Sequence, residues 1–295
     1  MILVTAATGS IGRHLVRALH EQGAPVRALV REEAKGRALG VDYAVGDFDD
    51  PASLAAALRG VRRVFLNGPG ALPVDGEQPG LRGQKALIDA ARAAEVAHVV
   101  KVSVWDAAPA APLSQGLHWE VEEYLRASGL GSSVLQPAGF MQNFLAPTAF
   151  TPDGRLIASY GDAPVAYVDA ADIAAAAAAL LTAEQPAPGP VVLTGSQALT
   201  DAQVAAKLSA VLGRTVELAP FPAEQIPAAL TAQGLPEWFA TQLATLVAQV
   251  AAGAQSVPTD GVARLTGRPA RTFDQFLADN AEAVRAATHS AATGL

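Results

Sequence analysis

A glycine-containing turn near the start of the chain has the spacing of a dinucleotide-binding loop. The segment VTAATGSIG runs from Val4 to Gly12, after an apolar stretch and before one with helical spacing. In such a turn Gly9 allows the backbone to approach a pyrophosphate, and Gly12 allows the helix to pack closely on the strand. Ala6 stands where a first glycine is usual. An ordinary strand-to-helix turn is the alternative interpretation.

The end of the second predicted strand indicates which dinucleotide is bound. NAD-binding proteins place an acidic residue about 20 residues after the glycines, on the ribose hydroxyls. This chain has Arg31 there, and a guanidinium suits a 2′-phosphate through its paired donors and permanent charge. Arg13 and Lys35 could add to the same pocket. The position favours NADP(H) over NAD(H), unless Arg31 is only a solvated residue at a strand end.

Polar and small residues follow the next three predicted strands. Asp47 could accept from an adenine amino group and Phe48 could lie against the ring, or the segment could be a polar loop in which Asp50 caps a helix. Asn67-Gly68 and Ser103-Val104 come directly after strands four and five. Ligands of parallel sheets bind at the carboxyl ends of the strands, so both pairs are candidate cofactor contacts.

The elements that must position these residues alternate between strand and helix. The predicted strands are 2–5, 25–30, 41–45, 63–66, 97–102, 133–135, 191–194 and 215–218. The predicted helices are 11–21, 51–59, 81–94, 115–128, 170–182, 201–212, 236–251 and 271–285. This pattern predicts an α/β fold, a Rossmann-type doubly wound parallel sheet with a smaller C-terminal α/β lobe. We expect an NADP-binding domain over 1–145 and a substrate-binding lobe over 146–295, with the strand near 191–194 free to return to the main sheet.

Composition excludes several classes of protein. Hydrophobic residues make up 51% of the 295 residues and charged residues 17%, which argues against disorder and coiled coil. The net charge of −7 and the absence of a basic run argue against nucleic-acid binding. With no cysteine, neither a disulfide nor a thiolate site is possible. The start resembles no signal peptide and no apolar run is long enough to span a bilayer, so we expect a cytoplasmic protein without a membrane segment.

Motifs along nearly the whole chain resemble one family. The chain is similar to NmrA-like members of the atypical short-chain dehydrogenase/reductase superfamily, and within them to bacterial NAD(P)H:quinone oxidoreductases. The matching stretches are Thr5–Gly12, Val30-Arg31, Gly46–Asp50, His118 to Leu130, LQPAGFMQNF from Leu135 to Phe144, YVDAADIA from Tyr167 to Ala174, Leu193–Gly195, Leu212–Arg214 and Gly267–Phe276. They occur in the family's order. The resemblance implies a Rossmann fold that binds NADP(H).

The resemblance also implies roles for individual residues. The pyrophosphate would be held by Thr5, Ala6, Thr8, Gly9, Ser10 and Ile11. Arg31 and Lys35 would hold the 2′-phosphate, with Asp47 and Phe48 at adenine and Asn67 and Gly68 at the ribose. The nicotinamide would be surrounded by Ser103, His118 and the segment Pro137, Ala138, Gly139 and Phe140. The substrate would be bordered by Phe140, Met141, Asn143 and Phe144.

The proton donor of typical short-chain dehydrogenases is missing. None of the four tyrosines is followed by lysine in a Tyr-x-x-x-Lys pattern. Several relatives place a lysine where His118 stands, which makes His118 the candidate proton donor, or a contact of the cofactor, with Ser103 as the second catalytic candidate. An imidazole suits acid–base work near neutral pH, and Glu122, one helical turn on, could stabilise its charged form. A surface histidine is the alternative.

These features predict an NADPH-dependent oxidoreductase that transfers hydride to a small apolar electrophile, a quinone or a conjugated or aromatic carbonyl. Two alternatives stay open at this point, a non-catalytic NADP-sensing regulator of the NmrA type and a biosynthetic tailoring reductase. The remaining histidines are scattered, so no metal site is predicted. The expected partner is a small-molecule substrate, and the sequence leaves a homodimer open.

Overall fold

The computed structural model describes residues 1–293, and its main feature is a seven-stranded sheet. The strands are β1 (Ile2–Val4), β2 (Val26–Val30), β3 (Asp42–Val45), β4 (Arg63–Leu66), β5 (His98–Val102), β6 (Gly131–Pro137) and β8 (Gly189–Leu193), and a separate parallel pair is formed by β7 (Leu156–Ala158) and β9 (Leu218–Pro220). All neighbouring strands of the seven-stranded sheet run parallel, in the spatial order β3-β2-β1-β4-β5-β6-β8. The predicted Rossmann-type α/β fold is confirmed.

Helices connect these strands throughout the chain. They are α1 (Ser10–Glu21), α2 (Glu33–Ala38), α3 (Pro51–Ala57), α4 (Pro79–Ala93), α5 (Ser114–Ala127), α6 (Ala170–Thr182), α7 (Asp201–Leu212), α8 (Ile226–Ala232), α9 (Glu237–Ala251), α10 (Gly261–Thr266), α11 (Phe273–Asp279) and α12 (Ala281–Thr293). Short 3₁₀ turns lie at Met141–Leu145, Pro147–Ala149 and Ala223–Gln225. Within residues 1–293, no helix combines the length and apolar character that a membrane crossing needs.

The chain forms two compact units. The first comprises Met1–Pro137, Ala170–Leu193 and Arg264–Gly267, and it contains the whole seven-stranded sheet. The second comprises Ala138–Asp169, Thr194–Ala263 and the chain from Arg268 onward. The main chain therefore leaves the first unit at the end of β6 and returns to it for α6 and β8, which adds the last strand beside β6.

In the first unit, α6 owes its close packing to alanine. Its residues Ala174, Ala176, Ala177 and Ala178 are all buried, and the helix lies against α1. Small side chains let two helices approach closely, so the alanine-rich helix predicted over 170–182 packs against α1. A separate apolar cluster joins β1, β4 and β5 to α3, α4 and α5.

The second unit has its own apolar core, built largely on aromatic rings. Phe144 packs edge-on against Tyr167 and Phe273, with ring centroids 5.1 and 5.3 Å away. Two elements of this unit differ from those predicted from the sequence. The strand expected at 215–218 begins only at Leu218, and the helix expected over 271–285 is two helices that meet at Asn280, whose N–H bonds to the Phe276 carbonyl.

Candidate active site

The turn between β1 and α1 has the shape that the glycine motif predicts. Gly9 caps α1 in an extended conformation and no side chain caps its first amides, which are therefore available to an anion. Ala6 adopts a left-handed conformation with φ of +47°, the geometry for which a glycine is usual. A Cβ at Gly12 would overlap the backbone of Ala6 and Ala7, so this glycine is needed for the packing of α1. Thr8, Gly9 and Ser10 are exposed, whereas Ile11 is buried.

Thr5 joins the ends of β1 and β4. Its side chain is fully buried, and its Oγ1 accepts from the backbone N–H of Asn67 at 2.9 Å and donates to the Asn67 carbonyl at 2.7 Å. The order of the sheet reverses between these two strands, which is the position where doubly wound sheets bind ligands. Thr5 and Asn67 therefore shape the crevice from opposite sides, and the Thr5 hydroxyl is occupied by that task.

Arg31 lies at the end of β2 and is exposed. Within residues 1–293 it forms no salt bridge and no side-chain hydrogen bond, so its guanidinium is available. Lys35 is also exposed, but its Nζ lies 2.6 Å from a carboxylate oxygen of Glu32. The two basic residues predicted for a 2′-phosphate thus differ, because only Lys35 already has an acidic partner.

The segment after β3 is tied down locally. Asp50 caps α3 through bonds from the backbone N–H groups of Ala52 and Ser53, as its position before Pro51 predicts. An oxygen of the Asp47 carboxylate accepts from the Asp49 N–H at 3.1 Å. The Phe48 side chain lies against Gly83 of α4, where a Cβ would come within 2.8 Å of it. Gly68 similarly leaves room for the side chain of Gln84.

A cluster of buried polar side chains joins β5, α5 and β6. Ser103 follows β5, while His118 and Glu122 lie one turn apart on α5, and all three are buried. The Ser103 hydroxyl donates to Glu122, and Gln136 of β6 donates from Nε2 to the same carboxylate oxygen at 3.0 Å. The predicted pair of Glu122 with His118 is wrong, because in the described chain Glu122 hydrogen-bonds only to Ser103 and Gln136.

The partner of His118 is instead Lys101. Lys101 is fully buried in β5, and its Nζ lies 2.9 Å from Nδ1 of His118 and donates also to the Val102 carbonyl. Burial lowers the pKa of Lys101 to about 7, against a smaller opposing effect of Glu122. Burial, and then the charge of Lys101, hold the pKa of His118 well below its ordinary value. His118 is therefore neutral near pH 7, and the ionisable group of the cluster at that pH is Lys101.

Sequence reasoning missed Lys101, although a signal was present. It is the one ionisable residue inside the otherwise apolar run VVKV of β5. A parallel strand covered on both faces has no solvated side for a lysine. A lysine in such a run needs a buried partner, which makes it a candidate functional group.

The other candidates divide between the two units. Val104 and Pro137 belong to the first unit, where the N–H of the adjacent Trp105 bonds to the Pro137 carbonyl at 2.8 Å. Those of the second unit are Gly139, Phe140, Met141, Asn143 and Phe144. Phe140 is half-buried and Asn143 is exposed, whereas Met141 and Phe144 are core residues of that unit.

The first unit fits a dinucleotide at the β1–α1 turn. Uncapped amides of α1, a crevice where the strand order reverses, and the available guanidinium of Arg31 lie along one edge of the sheet, since β2, β1 and β4 are adjacent and parallel. Within residues 1–293, no cluster of three or more histidine or acidic side chains could hold a metal ion.

The family model described as the NmrA-like family matches residues 1–290. The chain belongs to the NmrA-like family. It is 40% identical to the NAD(P)H azoreductase of Xenophilus azovorans, over 97% of this chain and 100% of that protein. It is 37% identical to a (4-alkanoyl-5-oxo-2,5-dihydrofuran-3-yl)methyl phosphate reductase of Streptomyces griseus, over 96% and 99% of the two chains.

Solved structures of the NmrA-like family resemble this one over almost its full length. The crystal structure of an NADPH-dependent quinone oxidoreductase from Escherichia coli, in complex with NADPH, superposes with a TM-score of 0.80. That protein is 28% identical in sequence, and the match covers 95% of this chain and 99% of the other.

Proposed function

We propose that this NmrA-like protein is an NADPH-dependent oxidoreductase that reduces a small apolar electrophile by hydride transfer. The observation that carries the proposal is the 40% identity to an NAD(P)H azoreductase along the whole chain. The structural relative bound to NADPH supports the choice of cofactor. Quinones and azo compounds are conjugated acceptors that take hydride without a strongly acidic enzyme group, which agrees with the missing Tyr-x-x-x-Lys pattern.

The residues at the edge of the sheet would hold NADPH as follows. The first amides of α1, those of Ser10 and Ile11, would bind the pyrophosphate. Gly9, whose own N–H bonds to the Ala6 carbonyl at 2.9 Å, keeps the approach clear. Arg31 would bind the 2′-phosphate, whereas Lys35 would first have to leave Glu32. Asp47 and Phe48 stay as candidates for the adenine.

NADPH supplies the hydride, so the protein has to orient the acceptor, and for a carbonyl acceptor it also has to provide a proton. His118 is the candidate for that proton, since it is a buried imidazole of α5 whose ring contacts Lys101 of β5. Its Nδ1 faces Lys101, and among residues 1–293 no side chain or backbone group hydrogen-bonds to its Nε2. Ser103 donates to Glu122, so it would position the carboxylate rather than deliver a proton.

The test is turnover of NADPH against a panel of acceptors, with a quinone, an azo dye, an enone and an aryl ketone. Loss of nicotinamide absorbance should occur with the quinone and the azo dye, and more slowly with the ketone. NADH should be a poorer donor. Binding of NADP without oxidation of NADPH by any acceptor would contradict the proposal and favour an NADP-sensing regulator.

A second candidate function is suggested by the Streptomyces griseus relative, which is named as a reductase of a phosphate ester. A tailoring reductase of this kind would prefer an acceptor that carries a phosphate. The same panel with a phosphorylated and an unphosphorylated enone decides between the two functions. A kcat/KM much higher for the phosphorylated enone than for any quinone would favour the tailoring role.

The proposed setting is the cytoplasm, and the proposed partners are a small-molecule substrate and, as the one macromolecular option, a second copy of the chain. Light scattering at two protein concentrations tests for the homodimer. Nucleic acid is not expected to bind to a chain with a net charge of −7.

A further inference from the structure

Lys101 occupies a position that a purely structural residue would fill with an apolar side chain. It lies within β5, is fully buried, and its neighbours in register are Leu66 of β4 and Val134 of β6. Neither of those neighbours brings a charge to it. Burial of an ammonium group is unfavourable unless it is paired, and in the described chain Lys101 forms no salt bridge with a carboxylate. Its two partners are the His118 ring and the Val102 carbonyl.

The chemistry of these partners fixes where the protons are. A protonated lysine has three donors and no acceptor, so Nδ1 of His118 must accept from it. A neutral imidazole that accepts at Nδ1 carries its proton on Nε2. When Lys101 is neutral, the same contact works in the opposite direction, with Nδ1–H donating to the lone pair of Nζ. The distance of 2.9 Å suits both states.

We propose that Lys101 is the proton reservoir of His118, which it recharges through Nδ1 while Nε2 delivers a proton to the reduced acceptor. This inference rests on the proposed function. In the step, the acceptor gains a hydride from bound NADPH and one of its atoms becomes an anion. The Nε2–H bond breaks as the new bond to that atom forms, and Nδ1 takes a proton from the Lys101 ammonium. Lys101 ends neutral. After product release, His118 takes a proton from solvent at Nε2 and returns its Nδ1 proton to Nζ, which restores the starting state.

The surrounding charges agree with this direction of transfer. Glu122 of α5 is the acidic group that acts on Lys101, and it stabilises the protonated form of the lysine. The proton is therefore held on Lys101 rather than on His118, whose pKa is held well below its ordinary value by burial and by Lys101. His118 thus rests in its neutral form, and the doubly protonated imidazolium is not a resting state of the site.

The first variant is Lys101→Met, which keeps an unbranched side chain of similar length and removes the proton. With an aryl ketone we expect kcat to fall about 10²-fold, the lower part of the range for acid–base catalysis. KM for the acceptor and the Kd of NADPH should stay unchanged. The wild-type kcat should decline as pH rises through about 7, and this ionisation should be absent in the variant. Unchanged kcat and an unchanged pH profile would overturn the inference.

The second variant is Glu122→Gln, which keeps the acceptor oxygen for Ser103 and Gln136 but removes the charge. Because Glu122 raises the pKa of Lys101, its loss should move the ionisation in the kcat profile to lower pH. The matched control is Glu123→Gln, on the same helix, whose carboxylate pairs with Arg126. A profile that moves equally in both variants, or in neither, would overturn the inference.

A readout without turnover separates this inference from the proposed function. The ¹⁵N signals of the His118 ring should report the Nε2–H tautomer below about pH 7, where Lys101 is charged, and a change in Nδ1 as Lys101 loses its proton at higher pH. Lys101→Met should remove that change. If no acceptor is reduced, the proposed function fails and the inference fails with it, whatever the ring signals show. If turnover is present and the Nδ1 signal does not change with the ionisation of Lys101, only the inference fails.

Discussion

Gly12 lies against the backbone of Ala6 so closely that a Cβ at position 12 would stand 2.1 Å from the Ala6 carbonyl oxygen. The same atom would lie 2.8 Å from the Cα of Ala7. At Gly9 a Cβ would approach only the Ala6 oxygen, at 3.2 Å. The two glycines of one turn therefore serve different purposes, the first leaving room for a ligand and the second for the protein itself.

Gly12→Ala should consequently destabilise the fold. Because its Cβ meets backbone that cannot rotate away, we expect a loss of about 1–3 kcal/mol in the free energy of unfolding, or more. The matched variant is Gly9→Ala, which should unfold at nearly the wild-type denaturant concentration but bind NADPH more weakly. Urea unfolding and cofactor titration measure the two effects. Equal unfolding midpoints for the two variants would contradict this division of roles.

Arg31→Ala tests the reading of the 2′-phosphate. A hydrogen bond to a charged group contributes roughly 1.5–3 kcal/mol, so NADPH binding should weaken by about 10-fold to 10²-fold. NADH binding should hardly change, because NADH has no phosphate at that position. Titration of both cofactors gives the two constants.

The control for Arg31→Ala is Arg37→Ala. Arg37 is an exposed residue of the neighbouring helix α2 that pairs with Glu33. Arg37→Ala should leave the Kd of NADPH and the Kd of NADH unchanged. Equal weakening of NADPH and NADH by Arg31→Ala would show that Arg31 does not contact the 2′-phosphate.

The sequence predicts the scaffold of the site better than its chemistry. Alternating strand and helix signals are local, and Asp50 with Pro51 marks the start of α3 in two residues. The partner of His118, in contrast, lies 17 positions earlier on another element. The local sequence of α5 does not show whether Glu122 contacts His118 on the same helix or Ser103 after β5. Met141 and Phe144 show the same limit, because apolar residues after a strand look alike whether they line a site or fill a core.

His118 should make the protein sensitive to acid. Its pKa in the fold lies well below the ordinary value near 6.5, so below about pH 6.5 the unfolded chain binds a proton there that the folded chain does not. Stability then falls with falling pH, by up to about 1.4 kcal/mol per pH unit from this one group. His118→Gln should flatten the decline, measured by urea unfolding between about pH 5 and 6.5. Replacing the exposed His20 by Gln should leave the slope unchanged.

Lys101 should make the stability of the protein depend on pH in a more alkaline range than His118 does. Its pKa is about 7 in the fold, against an ordinary value of 10.5, so between these values the unfolded chain carries a proton that the folded chain has lost. Stability contributed by this position therefore rises with pH across that range and is lowest where Lys101 is charged, at and below pH 7. Lys101→Met removes the charge, so its free energy of unfolding relative to wild type should be most favourable near neutral pH. The advantage should shrink toward about pH 10, at a rate of at most about 1.4 kcal/mol per pH unit.

Lys85→Met, at a partly exposed lysine over the Tyr124 ring, is the control. A difference between Lys101→Met and wild type that stays constant with pH would mean that Lys101 keeps its ordinary ionisation in the fold.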